Sequence, residues 1–406
     1  MNNEIKRASA GQKGDKIRSD CYCQIELKSA VGLEFKIKSK VNVMYGKSIR
    51  DLVADIIKFY DIKNAIITIE DYGALPFVLA ARIETAIRRL GIDGGKEFLL
   101  PFNKKNLYTT TVDKPRRSRL YLPGNEPKFF VNAGLHSPDG IILDLEDSVA
   151  PTEKDAAQMM VRNALRSVDF YGAERMVRIN QLPAGLDDLK YIVPHNVNVI
   201  LIPKSETAES IRALEEEVDR LKKLHNNKKE IYFMPILESA LGIVNAHEIA
   251  VASKRNCALA IGLEDYTADI GTQRTAEGKE SFFARATLVN AAKAAGIQAI
   301  DTVFSDVNDT EGLKQSVIDA KSLGFEGKGC IHPRQIAVIH EAFAPTEGEI
   351  EKAKKIVLAF NDAKKKGLGV IAIGSKMIDA PVVKRAQNTI KSAIEKKLIS
   401  VNWDSN

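Results

Sequence analysis

What the chain has little of narrows it first. Four cysteines among 406 residues, Cys21, Cys23, Cys257 and Cys330, are too few for a disulfide framework, so a reducing cytoplasm is the expected setting. The C-x-C pair lacks zinc-knuckle spacing, and His247-Glu248 has no second histidine four residues after the first. No apolar run approaches the ~20 residues of a membrane span. The opening stretch MNNEIKRASAGQKGDKIRSD has no hydrophobic segment of the secretory kind. Aromatics make up only 6%, so aliphatic side chains must fill the core. Neither sign of charge dominates. Lys+Arg 59 against Asp+Glu 53 leaves +6, with acids and bases interleaved. That argues against nucleic acid, which calls for a basic stripe, and leaves an anionic small molecule open.

What is present reads as two or three domains. Residues 1–20 are polar and read as a mobile segment. A small α/β unit follows. Cys21–Leu27, Phe35–Ile37 and Ala65–Ile69 have strand character, while Ile49–Tyr60 and Leu75–Leu90 carry helical spacing. Asn103–Pro115 is polar and aperiodic and reads as a linker. From there short aliphatic runs alternate with helical patterns: Ser118–Pro123, Ile141–Asp147, Met176–Asn180, Val197–Lys204, Ile231–Glu238, Ala258–Asp265, Ala299–Phe304 and Gly329–Pro333. Eight β-α units in roughly 225 residues is the size of a (β/α)8 TIM barrel. The rival, an open doubly wound sheet, is weakened because no G-x-G-x-x-G follows the first strand. The expected division is an α/β carrier-like domain over 1–102, a linker over 103–116, the barrel over 117–345, and a C-terminal extension over 346–406. The extension comprises a helix at Glu349–Lys366, a strand-like GVIAIGS and a helix from Pro381.

Barrel enzymes react at the C-terminal ends of their strands. Here those ends are polar: Asp144-Leu145-Glu146-Asp147, Arg178, Lys204, Glu238, Glu264-Asp265, Asp301 and His332. Buried charges need partners or a metal. Glu238 and Asp265, terminating neighbouring strands, suit Mg2+, with water and substrate completing the shell. The competing reading is that they cap helices or pair with Lys204. Arg178 could grip a substrate carboxylate through two hydrogen bonds, or be an ordinary salt bridge to Asp144 or Glu146. Lys204 could neutralise the carboxylate cluster. His332 reads as a turn residue and Cys330 as core.

The ordered stretches RRSRLYLPGNEPK, GIILDLEDSVAPTEK, VRIN, LIPKSET, PILESALGI, GLEDYTADIG, GKGCIHPRQI and GLGVIAIGSKMIDAPVVKRAQ closely resemble the citrate lyase beta-subunit (HpcH/HpaI aldolase/citrate lyase) family. That family groups with malyl-CoA and citramalyl-CoA lyases. The smaller unit, through Asp71-Tyr72-Gly73-Ala74-Leu75, Ala81-Arg82 and Arg88, resembles the citrate lyase acyl carrier (gamma) subunit. The resemblance implies Mg2+ on Glu238 and Asp265, oxo-acid binding by Arg178, and acid/base work by Asp379, delivered by a C-terminal lid often from a neighbouring subunit. It implies a substrate or thioester-phosphate contact for Arg119, near the end of the first strand, and a supporting role for Glu146. Without the resemblance, Asp379 before Pro381 reads as a helix cap.

The implied reaction cleaves a citryl thioester to oxaloacetate and an acetyl thioester. Its partners would be an alpha-subunit acyl transferase and further copies of this chain, as a trimer or a multiple. The implied prosthetic arm, of phosphoribosyl-dephospho-CoA type, needs a serine. The family's modified position is Arg18 here, and Ser19 is the nearest hydroxyl, ahead of Ser9. The alternatives are a malyl-CoA or citramalyl-CoA lyase or related CoA thioesterase, and a non-catalytic carrier or scaffold.

Overall fold

The computed structural model describes residues 6–365, 371–373 and 376–404. Four strands open the chain: β1 (Arg7–Ala10), β2 (Cys21–Leu27), β3 (Gly32–Ser39) and β4 (Asn64–Asp71). They form one sheet in the order β1-β2-β4-β3. Helices α1 (Asn42–Phe59) and α2 (Pro76–Arg89) complete the unit. Ile49, Val53, Ile56 and Ile57 bury one face of α1, spaced as a helix packed on a sheet requires. The expectation that residues 1–20 are a mobile segment is corrected by β1, whose Arg7–Ala10 pairs antiparallel with Glu26–Cys23. A four-residue edge strand is too short and too polar to announce itself by alternation.

Eight parallel strands then close into a barrel. They are β5 (Ser118–Pro123), β6 (Gly140–Asp144), β7 (Glu174–Arg178), β8 (Val199–Ile202), β9 (Tyr232–Leu237), β10 (Ala258–Ile261), β11 (Gln298–Asp301) and β12 (Gly327–Cys330). Closure is made by β12 on β5, with Gly329 opposite Arg119. Each strand coincides with an aliphatic run of the sequence, and every run but the first, which ends with β5 at Pro123, extends one to four residues past its strand into the loop that carries the polar groups. On the helix Ala208–Leu224 the stripe Ile211, Leu214, Val218 and Leu221 is buried. The extension is a helix Glu347–Lys365, strands Ile371–Ile373 and Lys376–Ile378, and a helix Ala380–Glu395. These pack around a separate small core that includes Ile356, Val357, Val383 and Ile390. Of GVIAIGS, residues 369, 370, 374 and 375 lie outside the described residues.

The small unit is not tethered loosely. Phe77, Val78 and Ala81 of α2 belong to the main barrel core, against α3 (Lys154–Ser167). Glu84 of α2 and Arg162 of α3 are both fully buried and joined by two hydrogen bonds, 2.9 and 2.7 Å. Arg162 also reaches Glu97 at 3.1 Å. Segment 103–116 lies against the barrel, with Arg116 clamped to Glu174 by bonds of 2.8 and 2.9 Å.

Removing one partner of a buried pair strands the other, at about 3–5 kcal/mol, while replacing both is far milder. Arg162→Met should therefore lower unfolding free energy by about that amount. The double variant Arg162→Met/Glu84→Leu should recover most of the loss in denaturant titrations. Equal losses in both would show that the pair does not couple the domains.

Candidate active site

The strand ends face a cavity of about 490 Å³ lined by Arg119, Tyr121, Asp144, Arg178, Glu238 and Asp265 among others. At its rim Arg178, the last residue of β7, is surrounded by acids. Its Nε and Nη2 donate to the two oxygens of Asp144 at 2.7 and 2.8 Å. Its Nη1 lies 2.7 Å from Glu146 and 3.4 Å from Asp147. These bonds outweigh burial and hold Asp144 below the usual carboxylate range. The salt-bridge reading of Arg178 is thus what the structure shows. A bidentate clamp on a substrate carboxylate is not available while Nε and Nη2 hold Asp144 and Nη1 faces Glu146 and Asp147.

Glu238 follows β9 directly and is 6% exposed. Its Oε1 accepts the Lys204 backbone N–H at 3.0 Å. Lys204 has φ +47°, a left-handed conformation that aims this N–H at the carboxylate. Burial raises the Glu238 carboxyl to about 8; the Lys204 N–H and Arg178 act the other way, and Asp265 and Glu146 add to the rise. Glu146 is likewise raised to about 7, first by burial. Asp265 stands in the first turn of the short helix Leu263–Asp269, not at the strand end itself. This corrects the expected placement, since β10 stops at Ile261 and the chain coils at once. Lys204 Nζ lies 3.8 Å from Asp265 and 3.9 Å from Glu146. A Cβ at Gly262 would stand 2.4 Å from Glu238 Oε2, so only glycine leaves room for that carboxylate.

Acids therefore outnumber cations at this mouth. Glu238 and Asp265 follow neighbouring strands, and burial, with the acids around it, raises the Glu238 carboxyl. Among the described residues no three His, Cys, Asp or Glu groups form a protein-only metal cage. Two carboxylates with the remaining positions left to water and substrate is the donor set Mg2+ accepts, so these residues fit that ion.

Other predicted residues fall elsewhere. Arg119 is the second residue of β5, at the cavity floor; it was expected near the strand's end. The aliphatic run around it hides which end of the strand it occupies. Asp379 does not line the cavity. Its Oδ1 accepts the Val382 N–H at 3.3 Å and caps the last helix. Ser19 is half-buried in the small unit, with its N–H donated to the Tyr72 carbonyl. The adjoining Asp20 takes two bonds, 3.0 and 2.8 Å, from Arg82. Arg82 also donates at 2.9 Å to the Asn125 carbonyl, in the loop that leaves β5 at the mouth. Sequence reasoning missed Tyr121, whose ring lies under Arg178 at 5.4 Å. An inward-facing position two residues before Pro123 was the available signal.

A closed parallel barrel with an acid-rich mouth defines the class as a barrel enzyme fitted for a divalent cation. The comparisons make it particular. Residues 117–333 match the family described as HpcH/HpaI aldolase/citrate lyase, and residues 7–90 match an acyl-carrier family described as malonate decarboxylase delta subunit. Citrate lyase subunit beta of Leuconostoc mesenteroides subsp. cremoris is 42% identical over 71% of this chain and 96% of its own length. Mitochondrial citramalyl-CoA lyase of Mus musculus is 33% identical over 70% and 88%. The crystal structure of protein CitE from Mycobacterium tuberculosis with magnesium, acetoacetate and coenzyme A superposes with a TM-score of 0.58. It is 29% identical and covers 69% of this chain and 98% of that one. The chain belongs to the HpcH/HpaI aldolase/citrate lyase family and is a carbon–carbon lyase with an acyl-carrier-like domain in front of its barrel.

The raised carboxyls give a pH signature. Both Glu146 and Glu238 have folded values above the ordinary 4.5. Their contribution to stability is therefore complete below about 4.5 and is lost as pH rises through about 7 and then about 8. In metal-free protein, Glu238→Gln should make the decline between about pH 4.5 and 8 shallower in thermal melts and remove the part of it above about pH 7. An unchanged profile would contradict the placement of Glu238.

Proposed function

We propose that this barrel cleaves a citryl thioester into oxaloacetate and an acetyl thioester, with Mg2+ held by Glu238 and Asp265. The observation that carries the reading is the buried Glu238 carboxylate beside Asp265 at the cavity, in a cluster with more acids than cations, supported by the 40%-range identity to citrate lyase beta subunits. When bound, the ion supplies Lewis acidity at the substrate's hydroxyl and carboxylate oxygens. Arg178 fixes Asp144 and Glu146 and retains one Nη2 hydrogen for a substrate carboxylate. Lys204 holds Glu238 in place by its backbone and offsets the charge of Asp265.

The reaction removes the proton of the tertiary hydroxyl, breaks the adjoining C–C bond and returns a proton to the acetyl-thioester enolate carbon. One carboxylate can do both transfers. We assign that work to Asp379 of a neighbouring copy, because Asp379 of the same chain caps its own helix away from the cavity. A homo-oligomer follows from this assignment; its size, a trimer or a multiple, and an alpha-subunit partner that loads the acyl group are what the family resemblance implies.

The carrier-like domain presents Ser19 on a segment flanked by exposed Lys16 and Arg18. Those neighbours suit a phosphodiester-linked arm of the phosphoribosyl-dephospho-CoA kind. The second reading, a malyl-CoA or citramalyl-CoA lyase using free CoA, is favoured by one departure: Arg18 stands where the carrier family's modified serine is expected.

Two experiments test this. In calorimetric titrations, Glu238→Gln and Asp265→Asn should each lose Mg2+ affinity by at least about tenfold and lose cleavage with it. Intact affinity in both would refute the metal assignment. Separately, Asp379→Asn and Glu238→Gln, each inactive alone, should regain activity when unfolded together and reassembled as mixed oligomers. No recovery would place Asp379 in its own subunit's site or outside catalysis.

A further inference from the structure

The floor of the cavity holds a cation without an anion. A barrel interior is ordinarily filled by aliphatic layers, and here Met176, Met234 and Ile236 form part of that interior packing. Arg119 enters it at 1% exposure. Its Nη1 reaches only the Met234 sulfur at 2.9 Å, its Nη2 the Asp301 carbonyl at 3.5 Å, and its Nε has no partner. The nearby acids are already taken. Asp301 is held by Lys328 at 2.7 Å and by Arg285 at 3.1 and 3.0 Å, and Glu174 by Arg116. Arginine does not shed its proton, and a buried charge without a counter-charge is costly. The same side chain lines the cavity that opens beside Glu238.

The spacing shows what fits there. Met234, Ile236 and Glu238 are successive inward positions on β9 and the residue that follows it, about 7 Å apart along the strand. A small molecule seated at Glu238 thus passes one residue, Ile236, before it meets the guanidinium. We propose that Arg119 is the specificity-determining residue of the site, pairing with the carboxylate at the far end of a dicarboxylic 2-oxo acid and of the thioester adduct that yields it. This deepens the function proposed above and rests on it. A monocarboxylic 2-oxo acid, or the adduct that releases one, leaves Arg119 unpaired and is selected against. A charge-assisted hydrogen-bonded pair of this kind separates the two classes by about 10- to 100-fold.

The test needs no turnover to begin. Oxaloacetate and pyruvate are titrated into the Mg2+-loaded full-length protein, and oxaloacetate should bind at least about tenfold more tightly. Arg119→Met, which leaves an apolar side chain of similar reach, should abolish that preference while pyruvate affinity stays within about twofold. Arg119→Lys should retain part of it. Equal binding of the two acids by the unaltered protein, or an unchanged ratio in Arg119→Met at an unchanged melting temperature, would overturn the proposal, and the first arm holds even if the variant fails to fold. Cleavage of citryl and citramalyl thioesters is then compared. If neither is cleaved but the binding preference stands, the proposed reaction fails and the role of Arg119 survives. If citryl thioester is cleaved without any binding preference, Arg119 fails and the reaction survives.

Discussion

The structure turns on a surplus of carboxylates at one mouth of a closed barrel. Asp144, Glu146, Asp147, Glu238 and Asp265 converge there, against Arg178 and Lys204 as the cations in contact with them. Two like charges about 4 Å apart repel by about 4 kcal/mol at a surface-like dielectric, so this grouping persists only if protons or a cation neutralise it. Burial shifts Glu146 and Glu238 toward the protonated form. The left-handed backbone at Lys204, the glycine at position 262 and the acid-laden Arg178 all keep these carboxylates facing one another. They are intelligible as the support of a cation site.

A second pattern links the two halves of the chain. The carrier-like unit shares the barrel's core through α2 and is locked by the buried Glu84–Arg162 pair. Arg82 then joins Asp20, next to Ser19, to the loop leaving β5 at the catalytic mouth. Arg89 adds two bonds of 2.7 Å to Asp155, on the β6 side of the same face. The small domain is therefore held against the rim of the cavity.

Much of this was legible in the sequence. The eight aliphatic runs fell on the eight strands because inward and outward faces of a parallel barrel strand are both apolar. The convergence of Glu238, Arg178 and Glu146 followed from the rule that barrel chemistry sits at strand ends. What the sequence hid had physical causes. β1 is a polar edge strand whose partner, not its own pattern, makes it. Asp265 moved off its strand end because the chain coils directly after Ile261. Arg119 was misplaced along β5 because an arginine inside an aliphatic run gives no sign of its depth. Within one chain Asp379 meets only the helix-cap reading of its motif.

The central claim is that the carboxylate surplus exists to hold a divalent cation. The most direct measurement is a crystal structure grown with Mn2+ in place of Mg2+, with anomalous scattering locating the metal. The account predicts a single strong peak within coordination distance of Glu238 and Asp265. A peak at other residues, or none at saturating Mn2+, would contradict it.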